Sequence, residues 1–378
     1  MSGTNRLKVK TGRSVSTNEK EAVQELADAI TQPEMKAAVF FCSSKYNLDE
    51  LASELKRQFS CPLIGCTTAG EISSKGYQEG GITGASLSSP ELTVHSHTIS
   101  PLSRFTLSHA RELADAIRRE LSLSRKFERE TMFGLLLVDG LSMLEEQVVS
   151  ALHNQFEGIP MVGGSAGDDL RFKTTAVYSD GRFLSDAALF TLVETTLPFL
   201  IFKTQHFEPT DTKMVITEAE PHKRLVAEIN AEPAAEEYAR VLGLEVGELN
   251  PTVFSEYPLM LKVGDEWYVR SIQRANKDKS LTFYCAIELG LVMTLAKGVD
   301  PVTDLKEKLE ALFLEIPNPQ LLIGCDCILR KLEIVEKGMQ GQMAQLLKDL
   351  NVVGFSTYGE QFESIHVNQT LTGLAIGS

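Results

Sequence analysis

The chain has 378 residues, a formal net charge of −14 and 43% hydrophobic residues, enough apolar material for a sizeable core shared by two domains. The acidic balance and the lack of a Lys/Arg stripe interleaved with aromatics argue against nucleic acid as a partner. No apolar run approaches the roughly 20 residues that span a bilayer, and the start MSGTNRLKVKTGRSVSTNEK lacks a secretory segment, so the sequence reads as cytoplasmic with no membrane partner.

In chain order, Ser16 and Glu19 have the spacing of a capping box for the helix NEKEAVQELADAI, which stops before Pro33. The apolar run AAVFFCSS is a strand. A helix follows, with Leu48, Leu51, Ala52, Leu55 and Phe59 on one face and Asn47 and Glu50 at its start. LIGCTTAGEI then ends a second strand in a glycine turn closed by Glu71, and GITGASLSS returns as a further strand. LTVHSHTIS places His95 and His97 on one face of a strand, which reads as a solvated face. The same series recurs: strand MFGLLLVDG, helix SMLEEQVVSALHNQF with Ser142 and Glu145 as its capping box, turn MVGGSAGDD with Asp168, and return strand DAALFTLVE. Past Pro198 the texture changes. There FLIFKTQHFEPT, a strand–turn–helix stretch from Pro221, a hairpin around Gly264 and Asp265, and SLTFYCAIELG precede a third series. That series runs from PQLLIGCDCILR through QGQMAQLLKDL to VVGFSTYGEQ, with Glu360, and LTGLAIGS.

Near-continuous apolar strands joined by amphipathic helices imply parallel pairs covered on both faces. The expected architecture is α/β, with mixed, largely parallel sheets built from three related strand–helix–strand–glycine-turn units starting near Ala37, Met132 and Pro319. The expected divisions are an N-terminal segment with a helix (1–33), a first domain (34–197) and a second (198–378). Ligands of open α/β sheets collect beyond the carboxyl ends of parallel strands. The glycine turns are therefore candidate binding loops, unless their glycines serve backbone packing alone.

The series GCTTAGEI, GGSAGDDLRFKTTAVYSDG, VAEINAEPAAEEYA, YVRSIQ, CILR and VVGFSTYGEQ…HVNQTL resembles the FIST proteins over nearly all of the chain after residue 33. That resemblance implies an N-terminal and a C-terminal FIST domain and an intracellular sensory function that binds a small ligand, such as an amino acid. KTQHFEPTD and VRSIQRANKDKSLTFYCAIELGLVMTLA are similar to stand-alone bacterial FIST proteins that carry b-type haem and sense nitric oxide. The resemblance implies haem b as cofactor, and a histidine kinase or a cyclic-di-GMP enzyme as partner.

Noncovalent haem needs an axial ligand in an apolar pocket, and no C-x-x-C-H motif offers covalent attachment. Of the seven histidines, His206, among aromatics in TQHFEP, and His366, beside the third glycine turn, are alternative candidates for the iron. His109, His153 and His222 lie on polar stretches. A ligand cleft is expected in the second half from Arg270, Cys327, Arg330, Glu360 and His366, where an arginine can take a carboxylate or propionate in bidentate fashion. Cys66, Cys327, His366, Asp168 and Glu360 also contain the residue types of a thiol-dependent hydrolase, and a peptide-binding adaptor is a further alternative. The reading adopted is a sensor without enzymatic activity.

Overall fold

In the computed structural model, which describes residues 6–121 and 126–378, three successive segments repeat one order of elements; residues 1–5 of the N-terminal segment lie outside the described residues. The first runs β1 (Lys8–Ser14), α1 (Glu19–Ile30), β2 (Ala37–Ser43), α2 (Leu48–Gln58), β3 (Leu63–Thr68), a hairpin of β4 (Glu71–Ser73) and β5 (Gly76–Gln78), and the return strand β6 (Ile82–Ser88). The second runs β7 (Leu92–Ile99), α3 (Leu107–Glu120), β8 (Met132–Val138), α4 (Glu145–Gln155), β9 (Met161–Ser165), the hairpin β10 (Val177–Ser179) and β11 (Arg182–Leu184), and β12 (Ala188–Thr195).

The third opens with β13 (Phe199–Thr204) and is interrupted by an insert. The insert comprises β14 (Phe207–Glu220), β15 (Leu225–Ile229), β16 (Glu232–Pro233), α5 (Ala234–Leu242), α6 (Pro251–Glu256), β17 (Leu259–Val263), β18 (Glu266–Arg270), β19 (Ile272–Ala275), β20 (Leu281–Phe283) and β21 (Val292–Gly298). The segment then resumes with α7 (Pro301–Glu315), β22 (Leu321–Cys327), α8 (Ile328–Glu336), α9 (Gln340–Leu347), β23 (Val352–Thr357), the hairpin β24 (Glu360–Phe362) and β25 (Ile365–Val367), and β26 (Leu371–Ile376). The insert strands form their own sheet.

Each segment builds a six-stranded sheet, but the hairpin that completes it comes from another segment. β10–β11 of the second adds to β3 of the first, β24–β25 of the third adds to β9 of the second, and β4–β5 of the first adds to β23 of the third. The glycine turns interlock in the same cycle. Gly167 N donates to Thr67 O at 3.0 Å, Ser165 N to Gly359 O at 2.7 Å, and Ser356 N to Gly70 O at 2.7 Å. Parallel pairing among the described residues is confined to β2–β3, β8–β9 and β22–β23. The return, edge and exchanged strands all run antiparallel to their neighbours, so the parallel share is smaller than the apolar runs alone suggest.

Both faces of β2, β8 and β22 are buried, which is why they read as unbroken apolar runs. Val39 and Phe41 of β2 join Leu135, Ile323 and Phe355 in a core shared by the three sheets, where Phe41 stacks on Phe355 at 4.4 Å. Phe40 and Cys42 face outward onto α1 and α2. The repeated glycine also has one cause. A Cβ on Gly65, Gly163 or Gly354 would lie 2.6, 1.8 or 2.3 Å from the carbonyl oxygen of Phe40, Leu136 or Gly324 on the parallel partner strand. The backbones approach too closely for any side chain.

Two helix starts differ from the spacing-based reading. Asn18, not Ser16, caps α1 by accepting from Glu21 N at 3.0 Å, because Ser16 Oγ turns to the Glu21 carboxylate at 2.7 Å. α4 has no side-chain cap, and Glu145 points instead to Arg224 of the insert at 2.6 Å.

Candidate functional site

The acids that close the turns serve the fold. Glu71 accepts from Thr68 Oγ1 at 2.7 Å and from Gly81 N at 3.1 Å. Glu360 does the same in the third segment, accepting from the Thr357 hydroxyl, from Thr370 Oγ1 at 2.8 Å and from Thr370 N at 3.2 Å. Each ties its turn to the start of the return strand. Burial pushes the Glu71 carboxyl up to about 7 and that of Glu360 up to about 8, against those hydrogen bonds. Asp168 instead holds the 170–174 loop, accepting from the amides of Phe172, Lys173 and Thr174 at 2.8, 2.7 and 3.0 Å and from the Tyr358 hydroxyl. The turns are thus packing devices, and Glu360 is spent inside one of them rather than lining a cleft.

Arg330 belongs to a different buried network from His366. Its Nε faces Asp326 Oδ1 as an ion pair at 3.1 Å, off hydrogen-bonding geometry; Nη1 donates to His206 Nδ1 at 2.9 Å, and Nη2 donates to Pro301 O at 2.9 Å. His206 Nδ1 accepts from arginine, so its proton sits on Nε2 and is donated to Glu333 Oε2 at 2.7 Å. Burial holds the His206 pKa below its ordinary value. His206 O also receives Val299 N at 2.8 Å, so this network pins both chain crossings between the insert and the third segment. With both ring nitrogens engaged and no exposure, His206 does not fit the role of a haem ligand.

A second buried cluster lies where the insert meets the exchanged hairpin β24–β25 and the start of α4. Arg270, on β18, donates from Nη1 to His366 O at 2.8 Å. Next to it, Ser271 Oγ donates to Gln369 Oε1 at 2.6 Å, and Gln369 Nε2 donates to Ser255 O at 2.8 Å. Arg224 reaches across to Glu145 at 2.6 Å and Glu146 at 2.9 Å, while Glu146 Oε1 accepts from Ala286 N at 2.8 Å. The His366 imidazole lies within the field of Glu146, Arg224 and Arg270, and burial holds it down at about 4, hence neutral at pH 7. Gln361 Nε2 donates to Ser165 Oγ at 2.9 Å and lies 3.4 Å from His366 Nδ1. Several fully enclosed atoms here have no hydrogen-bond partner: Arg270 Nε, Gln361 Oε1, His366 Nε2 and both side-chain polar atoms of Asn368.

The structure therefore brings together Arg270 and His366 of the expected cleft and leaves Arg330 in the His206 network. Cys327 occupies the position before α8 without a side-chain capping bond, its amide donating to Thr370 O at 3.0 Å. Burial raises the thiols of Cys66 and Cys327 well above their ordinary value, which disfavours the thiolate form. For haem, His366 is the remaining donor. Its Nδ1 lies 3.4 Å from Gln361 Nε2. Gly359 also closes against it, a Cβ there falling 2.2 Å from the ring. Polar Asn368, Gln361 and Arg270 surround this position, where a macrocycle needs apolar walls. These residues do not fit haem.

Sequence reasoning missed Gln361, Asn368, Gln369, Arg224 and Glu146. Dense polarity in HVNQT, ahead of the apolar strand β26, was the available signal for Asn368 and Gln369.

The arrangement is an α/β core on which an inserted sheet covers an enclosed polar cluster. A model of the FIST N domain matches residues 36–232 and one of the FIST C domain residues 234–363. The chain belongs to the FIST family, whose domains are sensory ligand-binding domains. It is 25% identical over 236 residues to Uncharacterized protein MJ1623 of Methanocaldococcus jannaschii, covering 61% of this chain and 41% of that protein. The chain thus spans less than half the length of that curated relative. No helix among the described residues is long and apolar enough to cross a membrane.

Proposed function

We propose that this chain is a sensory protein that encloses a small polar ligand between the insert and the three-segment core, and signals through the position of the insert. The observation that carries this reading is the set of enclosed, unpartnered polar atoms on Arg270, Gln361, His366 and Asn368. Buried polar groups are normally paired, and each one left alone costs about 1–3 kcal/mol. A ligand that pairs with them converts that cost into affinity.

Signalling follows from how the insert is attached. It joins the core through the crossings at Thr204–Phe207 and Gly298–Pro301, and it closes over the cluster through polar contacts: Arg224 to Glu145 and Glu146, Arg270 to His366, and Ser271 to Gln369. Polar contacts between domains allow hinge motion, and entry of a ligand requires these to part. The receiver is proposed to be a separate signalling enzyme, a histidine kinase or a cyclic-di-GMP enzyme, on the strength of the family resemblance. The small-ligand form of the family reading is favoured over haem and nitric oxide because neither candidate histidine offers iron a free nitrogen in an apolar setting.

Native mass spectrometry of the full chain tests the proposal. The wild type should carry a small mass that Asn368→Ala loses, and the protein made with haem supply should show no stoichiometric Soret band. A stoichiometric Soret band that His366→Ala abolishes would restore the haem reading.

A further inference from the structure

The three units do not fill the layer between sheet and helices alike. Phe40, Leu136 and Gly324 hold the same place, each opposite the glycine of the parallel partner strand, Gly65, Gly163 or Gly354. Phe40 packs beneath α1 and α2, and Leu136 packs beneath α3 and α4. At Gly324 the side chain is missing and nothing takes its room, since a Cβ there would meet no atom within 4 Å. The next residue on that face changes as well. Cys42 and Val138, both fully buried, have Asp326 as their counterpart.

The space left is a cavity of about 30 Å³, walled by Leu305 and Leu309 of α7, Met343 and Leu347 of α9, and Tyr77 of the exchanged hairpin, with Asp326 supplying its carboxylate. A water molecule needs about 10–15 Å³, so the volume suits about two to three atoms of that size. Apolar walls offer water too few partners and favour an apolar body. Asp326 adds one directed contact. The Tyr77 hydroxyl donates to its Oδ2, while Oδ1 has the ion pair with Arg330 Nε at 3.1 Å and accepts no hydrogen bond. A ligand hydroxyl can donate to that oxygen.

We infer that this cavity is a second binding site, separate from the junction, for a small uncharged molecule of about three heavy atoms with an apolar body and one hydrogen-bond donor. In chemical class this is a short-chain alcohol. Its carbons take the room that the Phe40 and Leu136 side chains fill in the other units, and its hydroxyl donates to Asp326 Oδ1. Full-length protein labelled at its methyl groups is titrated with ethanol and with dimethyl ether, an isomer that has no donor, and crystals are pressurised with xenon. Ethanol should give saturable NMR shifts at the methyls of Leu305, Leu309, Met343 and Leu347. Dimethyl ether should bind about tenfold more weakly, because it cannot donate to the carboxylate, and xenon should occupy the space beside Gly324. Gly324→Val, whose isopropyl group fills the cavity and suits a strand, should lose both ligands; a circular dichroism melt establishes that the variant is folded.

Dimethyl ether that binds as tightly as ethanol, or xenon that binds where ethanol does not, would overturn the role of Asp326 and the alcohol class. Shifts that persist in Gly324→Val would overturn the location. If neither ethanol nor xenon binds the wild type, the space is a packing defect and the inference fails. The reading of the junction stands or falls separately, because none of these ligands reports on Arg270, His366 or Asn368.

Discussion

Replacing Glu360 by Gln isolates the cost of a carboxyl enclosed in the third turn. Glu360 has no exposure, and burial pushes its pKa from 4.5 to about 8 in the native protein. Between those values the unfolded chain loses a proton that the native protein keeps, so native stability falls as pH rises. At 1.36 kcal/mol per pKa unit, the penalty relative to a permanently neutral side chain is about 1 kcal/mol at pH 5 and about 4 kcal/mol at pH 7.5. Glutamine preserves the geometry: its oxygen accepts from Thr370 and its amide donates to the Thr357 hydroxyl. Urea unfolding of wild type and Glu360→Gln at both pH values should show the variant gaining about 3 kcal/mol relative to wild type on going from pH 5 to pH 7.5. A difference that does not change with pH would refute the reasoning. A variant that loses ground as pH rises would show that the native carboxylate is ionised and stabilised there.

Gly163→Ala and Gly354→Ala should each cost about 3 kcal/mol or prevent folding, because the new Cβ meets a strand carbonyl; urea midpoints within error of wild type would sink the close-approach account. Arg330→Met should destabilise by about 3–5 kcal/mol, since it strands the buried Asp326 carboxylate and leaves His206 Nδ1 without a donor. Adding Asp326→Asn should recover part of that loss, and a double variant no better than the single one would contradict the pairing. Asp168→Ala removes the acceptor shared by three loop amides, so trypsin should cut at Arg171 or Lys173 faster than in wild type at equal global stability.

The three units were legible because each rests on a local signal: an apolar strand buried on both faces, an amphipathic helix, and a glycine held against a partner carbonyl. The cyclic exchange of hairpins was not, since EIS, VYS and EQF are too short to carry a register and nothing local says which sheet each joins. Arg270 and His366 were placed together because both fall in stretches, YVRSIQ and HVNQTL, that resemble the family's motifs. Arg330 was misplaced because CILR begins a helix whose third residue turns into the His206 network, a direction that spacing alone does not give. Glu145 shows the same limit: its spacing to Ser142 fits a cap, but a long-range partner, Arg224, outcompetes the local one.

The most direct test of the account is a crystal structure of the full-length protein, purified from cells without added ligand, at a resolution that separates bound water from a small molecule. The account predicts continuous density joining Arg270 Nε, His366 Nε2 and the Asn368 amide, from a molecule enclosed by the insert and the β24–β25 hairpin. Isolated water molecules on those atoms, with the insert in the same closed position, would contradict it.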